Sequence, residues 1–283
     1  MTGVRVHCPE SLEEATSLLG ELDDAMVYSG GTAIQIMRKQ GLLLAQHYVD
    51  IGRISGLRDL TATSDDLTVG ALVPLRRMEK DPQVRRHAPL AAEAYGQAAH
   101  PRIRNTATSG GNIAYADHRL DPPTSLVVLD ATVHLASTAG TRNVPIREFF
   151  TDFQKTAVEH GELITAITVP RQPDGARGSF TKLLSLGESD WPCASAAVLA
   201  VPDGDIVEIR LGLGAVAPTT VYLTFDITPD MDEQQAVDAA VDIANSAMDP
   251  IADVRGSAAY KAHLGRVAVE EAVRRSLKEL PRD

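Results

Sequence analysis

Thiols and aromatic rings are what this chain has least of. Cys8 and Cys193 are its only cysteines in 283 residues. An iron–sulfur cluster takes about four thiolates, so this chain holds none unaided. Two thiols do not make a disulfide framework either. Aromatic residues are 4% of the chain, so aliphatic side chains and alanine must fill the core. Positive charge is also short: 27 Lys and Arg stand against 38 Asp and Glu, a net charge of −11. A nucleic-acid binder needs a basic surface to displace phosphate counterions, and an anionic membrane surface makes the same demand. Neither partner is expected. No apolar run approaches the roughly 20 residues that span a bilayer. Met1 to Pro9 has no basic stretch followed by an apolar one, as a secretory leader would. The expectation is a cytoplasmic protein without a membrane span, with both thiols reduced.

What is present suits a two-domain α+β protein. Hydrophobic residues make up 44% of the chain, enough for a proper core. Ser11 to Glu14 reads as a capping box opening an amphipathic helix. Ala25–Tyr28 and His47–Ile51 read as strands around a helix over Ala33–Arg38, a small α/β unit. Leu60–Thr63 and Leu67–Gly70 predict a β-hairpin. Pro74–Lys80 and Pro89–Ala99 predict helices, the second stopping before Pro101. Thr106–Ile113 reads as a glycine-rich loop, and Leu163–Val169 as a strand. Arg171–Gly178, rich in Pro, Gly and charge, marks the main boundary. Beyond it, Ser179–Leu186, Ala194–Val201 and Ile206–Leu213 predict three antiparallel strands. Two helices follow, one opened by a capping box at Asp232 and Gln235, the other running from Ser257 to Leu280.

Two segments carry chemistry. The first is Val27, Tyr28, Ser29, Gly30, Gly31, Thr32, Ala33 and Ile34, a strand end turning into a helix. The second is Thr108, Ser109, Gly110, Gly111 and Asn112. Paired glycines let successive N–H groups point inward and let a ligand approach without a Cβ in the way. Such a concavity binds anions, phosphates above all, and two of them suit the two sides of a diphosphate. One such tripeptide alone reads first as an ordinary turn. Neither segment has the spacing of a G-x-G-x-x-G fingerprint or a Walker loop.

Taken together and in this order, the two loops resemble the FAD-binding medium subunit of the molybdenum hydroxylases, the xanthine dehydrogenase and carbon monoxide dehydrogenase family. The likeness runs through Arg102 to Pro123 and continues in Glu162–Pro170, Ser179–Lys182, Gly212–Thr219 and Ile251–Lys261, so it covers essentially the whole chain. It implies a PCMH-type α+β fold. A small α/β subdomain (about 1–52) and an antiparallel β subdomain (53–172) would form the FAD-binding domain, 1–172. Residues 173–283 would form a C-terminal domain with a three-stranded sheet and helices.

The resemblance also implies roles. FAD would lie non-covalently between the first two subdomains, its diphosphate on the two Gly–Gly loops. Asp121 would meet ribityl or ribose hydroxyls, Ile164 would back the isoalloxazine, Lys182 would stand near it, and Ala98 and Ala99 would line the cofactor. The flavin roles are preferred over the alternatives, which are a helix start for Asp121 and a solvent-facing strand position for Lys182. Trp191, the sole tryptophan, suits either a flavin shield or the core, and His100 and His118 suit loop hydrogen bonding. The partners implied are a molybdopterin-binding large subunit and a [2Fe–2S] small subunit, in a dimer of heterotrimers. Electrons would pass from the [2Fe–2S] clusters through FAD to NAD⁺, a quinone or oxygen. No residue is expected to act as an acid–base or covalent catalyst, and none to bind a metal. Two departures, Leu186 where an Arg is common and Thr219-Thr-Val-Tyr222 in place of Thr-Pro-x-Arg, bear on the acceptor and on docking. They leave room for a flavin oxidoreductase that acts alone on a small molecule.

Overall fold

The computed structural model describes residues 4–42, 45–187 and 189–280. The chain opens with β1 (Arg5–His7), α1 (Leu12–Glu21), β2 (Ala25–Tyr28), α2 (Thr32–Lys39) and β3 (His47–Asp50). The three strands form a parallel sheet in the order β1-β3-β2. The strand β1 escapes sequence reading because three residues, with Val6 mostly exposed, carry no periodic signal. Ser11 caps α1 by accepting from the Glu14 N–H. The expected reciprocal bond is not made: the Glu14 carboxylate takes the Glu10 N–H instead.

The middle of the chain runs β4 (Leu60–Ala62), β5 (Asp66–Gly70), α3 (Leu75–Lys80), α4 (Pro82–His87), α5 (Pro89–Gln97), α6 (Pro101–Arg104), α7 (Ser109–Tyr115) and α8 (Asp121–Val128). It continues as β6 (Thr132–Ser137), β7 (Gly140–Pro145), α9 (Ile146–Phe149), β8 (Phe150–Asp152), β9 (Lys155–Thr156) and β10 (Leu163–Pro170). Five of these strands form an antiparallel sheet in the order β4-β5-β10-β6-β7. The segment expected as a loop over Thr106–Ile113 is instead helical from Ser109. Gly110 and Gly111 lower its intrinsic helix propensity, but the Thr108 cap and burial of Ile113 hold the turn.

The last part comprises β11 (Arg177–Leu183), β12 (Ala194–Asp203), β13 (Ile206–Gly214), β14 (Val221–Ile227), α10 (Glu233–Ala247) and α11 (Ala258–Lys278). The C-terminal sheet has four strands, β11-β12-β13-β14, all antiparallel, not the three expected. Val221, Leu223, Phe225 and Ile227 alternate along β14 and pack on the core. The capping box at Asp232 and Gln235 is present in full.

This sheet buries both faces. One packs on α10 and α11 through Ala196, Val198, Leu211 and Val269. The other meets α5 and α8, so Phe180, Ala197 and Leu199 share one core with Val69, Leu90 and Val127. Glycine makes the second contact possible. A Cβ on Gly212 would overlap the Thr124 carbonyl oxygen, and one on Gly178 would come within 2.9 Å of the Leu90 Cβ.

Candidate functional site

The two glycine loops meet. Strand β2 delivers Ser29, Gly30 and Gly31 to the start of α2. Gly31 is the N-cap with φ of 69°, a left-handed conformation that glycine adopts without strain. A Cβ there would overlap the Tyr28 hydroxyl, and one on Gly30 would overlap the Thr106 carbonyl oxygen. The first loop therefore sits directly on the backbone that leads into the second. Thr108 closes the junction: its hydroxyl accepts from the Gly111 N–H at 3.2 Å and donates to Ser29 Oγ at 3.1 Å. A Cβ on Gly111 would lie 2.7 Å from Ser29 Oγ.

Not every polar group of the second loop faces this junction. Ser109 gives both its N–H and its hydroxyl to the Val73 carbonyl, and Gly110 gives its N–H to Ala71. These bonds fasten α7 to the stretch after β5. By contrast, Asn112 Oδ1 is buried with no hydrogen-bond partner among the described residues. At the mouth of α2, Gly31 offers no side-chain acceptor to the first-turn N–H groups, so that end favours an anion.

A second pole lies at the contact of α8 with the C-terminal sheet. Lys182 Nζ is 2.7 Å from Asp121 Oδ2, and the two side chains are only 3% and 5% exposed. Lys182 therefore does not face solvent, and it also donates to the Gln97 carbonyl at 3.0 Å. Burial pushes the Asp121 carboxyl up to about 6, against the pull of Lys182. Its Oδ1 has no partner among the described residues, although Asp121 also opens α8. Ile164 is buried beside a bulge in β10, where the Thr165 carbonyl takes the Ala71 N–H.

Between the poles runs the turn Ala98–Ala99. Ala99 has φ of 48°. Arg104 holds it, giving Nη1 to the carbonyls of Ala98 at 3.0 Å and Ala99 at 2.6 Å, and Nε to Glu79 at 2.9 Å. Arg104 and Glu79 escaped the sequence reading. A buried arginine beside a loop is the signal they leave, and burial is visible only in the fold. His100 caps α6 through Nδ1, as expected. His118 differs: both ring nitrogens lack partners among the described residues, and burial lowers its pKa despite Asp117 nearby. Trp191 packs beside Tyr115, with the Arg119 guanidinium 4.9 Å above it. Open concavities along α11 and on the polar face of the five-stranded sheet include neither the glycine loops nor Asp121, Lys182, Ile164 or the Ala98–Ala99 turn.

The family signature described as "FAD binding domain in molybdopterin dehydrogenase" matches residues 2–172. The chain belongs to the FAD-binding subunits of the molybdenum hydroxylases. The "CO dehydrogenase flavoprotein C-terminal domain" matches residues 180–276 of this flavoprotein subunit. It is 32% identical to the carbon monoxide dehydrogenase medium chain of Hydrogenophaga pseudoflava over 94% of each chain. It is also 32% identical to a putative xanthine dehydrogenase FAD-binding subunit of Escherichia coli, over 76% of this chain and 75% of that one. In structure it superposes on the Hydrogenophaga pseudoflava carbon monoxide dehydrogenase with a TM-score of 0.93 at 31% identity, covering 99% of both chains. Quinoline 2-oxidoreductase of Pseudomonas putida gives 0.89 at 25%, covering 98% and 97%. The PCMH-type α+β fold, the FAD-binding domain and an oxidoreductase subunit are thus established for this chain. Among the described residues no helix is long and apolar enough to cross a membrane, and no cluster suits a metal ion.

Proposed function

We propose that this subunit holds one FAD along the line from the Gly–Gly junction to the Asp121–Lys182 pair. It would accept electrons from [2Fe–2S] clusters of a small subunit and pass them to NAD⁺, a quinone or oxygen. A molybdopterin-binding large subunit would oxidise the substrate, in a cytoplasmic dimer of heterotrimers. Bound FAD supplies the exchange between one-electron and two-electron carriers. The chain's own residues supply position and charge.

The observation that carries this reading is the junction itself: across two distant segments Ser29 meets Thr108 and Gly111, and Gly30 sits against the backbone of Thr106 and Ala107. The residues present fit the group. The start of α2 after Gly31 favours an anion, while in the second loop the N–H groups of Ser109 to Asn112 are engaged within the protein and the buried Asn112 Oδ1 is left to accept from a ligand. Asp121 keeps one carboxylate oxygen for a ligand hydroxyl, and Lys182 places a cation in a poorly solvated spot, where it favours an anionic ligand. Ala98, Ala99 and Ile164 supply apolar walls. Ser109, fully engaged with Val73, supports the loop from behind. We also propose a domain division near residue 172, with the cofactor bridging it.

Purification tests the reading. The chain should be yellow, carry one FAD, and release it unmodified on acid precipitation. A colourless chain that takes up no added FAD would overturn it.

A further inference from the structure

The Asp121–Lys182 pair is one end of a buried polar strip. Lys182 and Ser195 are cross-strand neighbours on β11 and β12, and Ser195 and Gly214 are neighbours on β12 and β13. Asp121 and Thr124 lie one turn apart on α8. A Cβ on Gly214 would overlap Thr124 Oγ1 and lie 2.5 Å from Ser195 Oγ, so both hydroxyls converge above that glycine. Thr124 and Ser195 are buried. Their hydroxyls and Asp121 Oδ1 have no hydrogen-bond partner among the described residues. A hydroxyl accepts as well as it donates, so the strip suits a neutral carboxyl as well as a carboxylate.

Charge in this strip stands one to one, a carboxylate against an ammonium at 2.7 Å. The charged groups on the elements around it are engaged elsewhere. Glu93 on α5 is turned to Arg275 and the Phe180 N–H. Asp190 pairs with Arg255, and Asp117, beyond α7, with Arg119. On β13 Glu208 pairs with Arg210, and on α9 Arg147 pairs with Asp130 and stacks on Tyr222 of β14. Asp203, at the end of β12, is exposed. Burial favours the neutral forms of Tyr95, Tyr115 and His118. A further negative charge brought beside the pair therefore leaves two anions on one cation. In a poorly solvated place that excess is costly, and a proton removes it. Asp121 is poised to take one, since burial already pushes its carboxyl up to about 6.

We propose that Asp121 takes up a proton from solvent each time the cofactor accepts an electron pair, and releases it when the pair leaves. The inference rests on the flavin reading above. FAD takes two electrons from an iron–sulfur donor and one proton to reach its anionic reduced form, and Asp121 takes one further proton. Neutralising the carboxylate leaves the Lys182 charge to the cofactor alone. When the electrons pass on, both protons return to the acceptor or to solvent.

The test uses the full chain loaded with FAD, reduced anaerobically in an electrochemical cell between about pH 6.5 and about pH 8, above the folded value of Asp121. The slope of midpoint potential against pH counts protons per electron pair, at about 30 mV per pH unit for each proton. Wild type should take up two protons and Asp121→Asn one. Glu93→Gln, the control, should match wild type. Infrared difference spectra show where the second proton goes. On reduction, wild type should gain the carbonyl stretch of a protonated carboxylic acid. That band should move with isotope-labelled aspartate and be missing from Asp121→Asn. If Asp121→Asn does not retain FAD, the slope and the labelled band of wild type decide. A one-proton slope or no acid band in wild type, or an acid band kept by Asp121→Asn, overturns the inference and leaves FAD binding standing. A chain that takes up no FAD overturns the flavin reading, and this inference with it.

Discussion

Thr108 donates its hydroxyl proton to Ser29 Oγ at 3.1 Å across 79 positions of sequence, and the same oxygen accepts the Gly111 N–H. One side chain thus caps α7 and ties the two glycine loops together. Thr108→Val removes both bonds and should lower stability by about 1–2 kcal/mol. Ser29→Ala removes only the cross-loop bond and should lower it by about 1 kcal/mol or less. Urea midpoints of the two variants check this; equal effects would mean the cap contributes nothing.

Gly30 has no room for a methyl group, because the Thr106 carbonyl fills its place. Gly30→Ala must push the second loop away, at about 1–3 kcal/mol. Gly41, whose Cβ would meet nothing within 4 Å, is the comparison, although its φ of 71° makes alanine mildly strained. Thermal unfolding with and without FAD should show Gly30→Ala losing more of its ligand stabilisation than Gly41→Ala.

Asp121 holds its proton more tightly in the folded chain than in the unfolded one. Its carboxyl is raised from 3.8 to about 6 by burial, with Lys182 opposing. Between those values the folded state binds more protons, so this contribution to stability is full below the unfolded value and is lost as pH rises through the folded one. Asp121→Asn lacks that slope. In FAD-free protein, its Tm relative to wild type should therefore rise between about pH 4 and about pH 6.5, while its FAD affinity is lower throughout. A Tm difference independent of pH would contradict the burial of a titrating Asp121.

Arg104 binds two carbonyls and a carboxylate with one planar fork. A lysine ammonium cannot reproduce that geometry. Arg104→Lys should lower stability by at least about 1.5 kcal/mol and loosen the Ala98–Ala99 turn. Amide hydrogen exchange over residues 97–106 measures the loosening directly; unchanged protection there would remove Arg104 from its proposed place.

The glycine loops were legible because residue type alone bears on the matter: paired glycines after a strand serve a turn or a close approach. Asp121 and Lys182 were each legible through family likeness, but their ion pair was not. They stand 61 positions apart on α8 and β11, and only tertiary packing brings them together. Strand β14 was missed although Val221, Leu223, Phe225 and Ile227 carry a clear period of two. Helix α7 was misread for a physical reason, since glycine propensity pointed one way and tertiary support from Ala71 and Val73 won. The inward hydrogen bonds of Ser109 have no signature in sequence at all.

The central claim is that both loops grip one and the same FAD. Calorimetric titration of FAD into the ligand-free chain tests it, with Ser29→Val from the first loop and Asn112→Ala from the second beside wild type. One FAD per chain is expected, with each variant weakening that single binding event by about tenfold or more, roughly 1.4 kcal/mol. An affinity left unchanged by either variant, at unaltered Tm, would mean that its loop does not hold the cofactor.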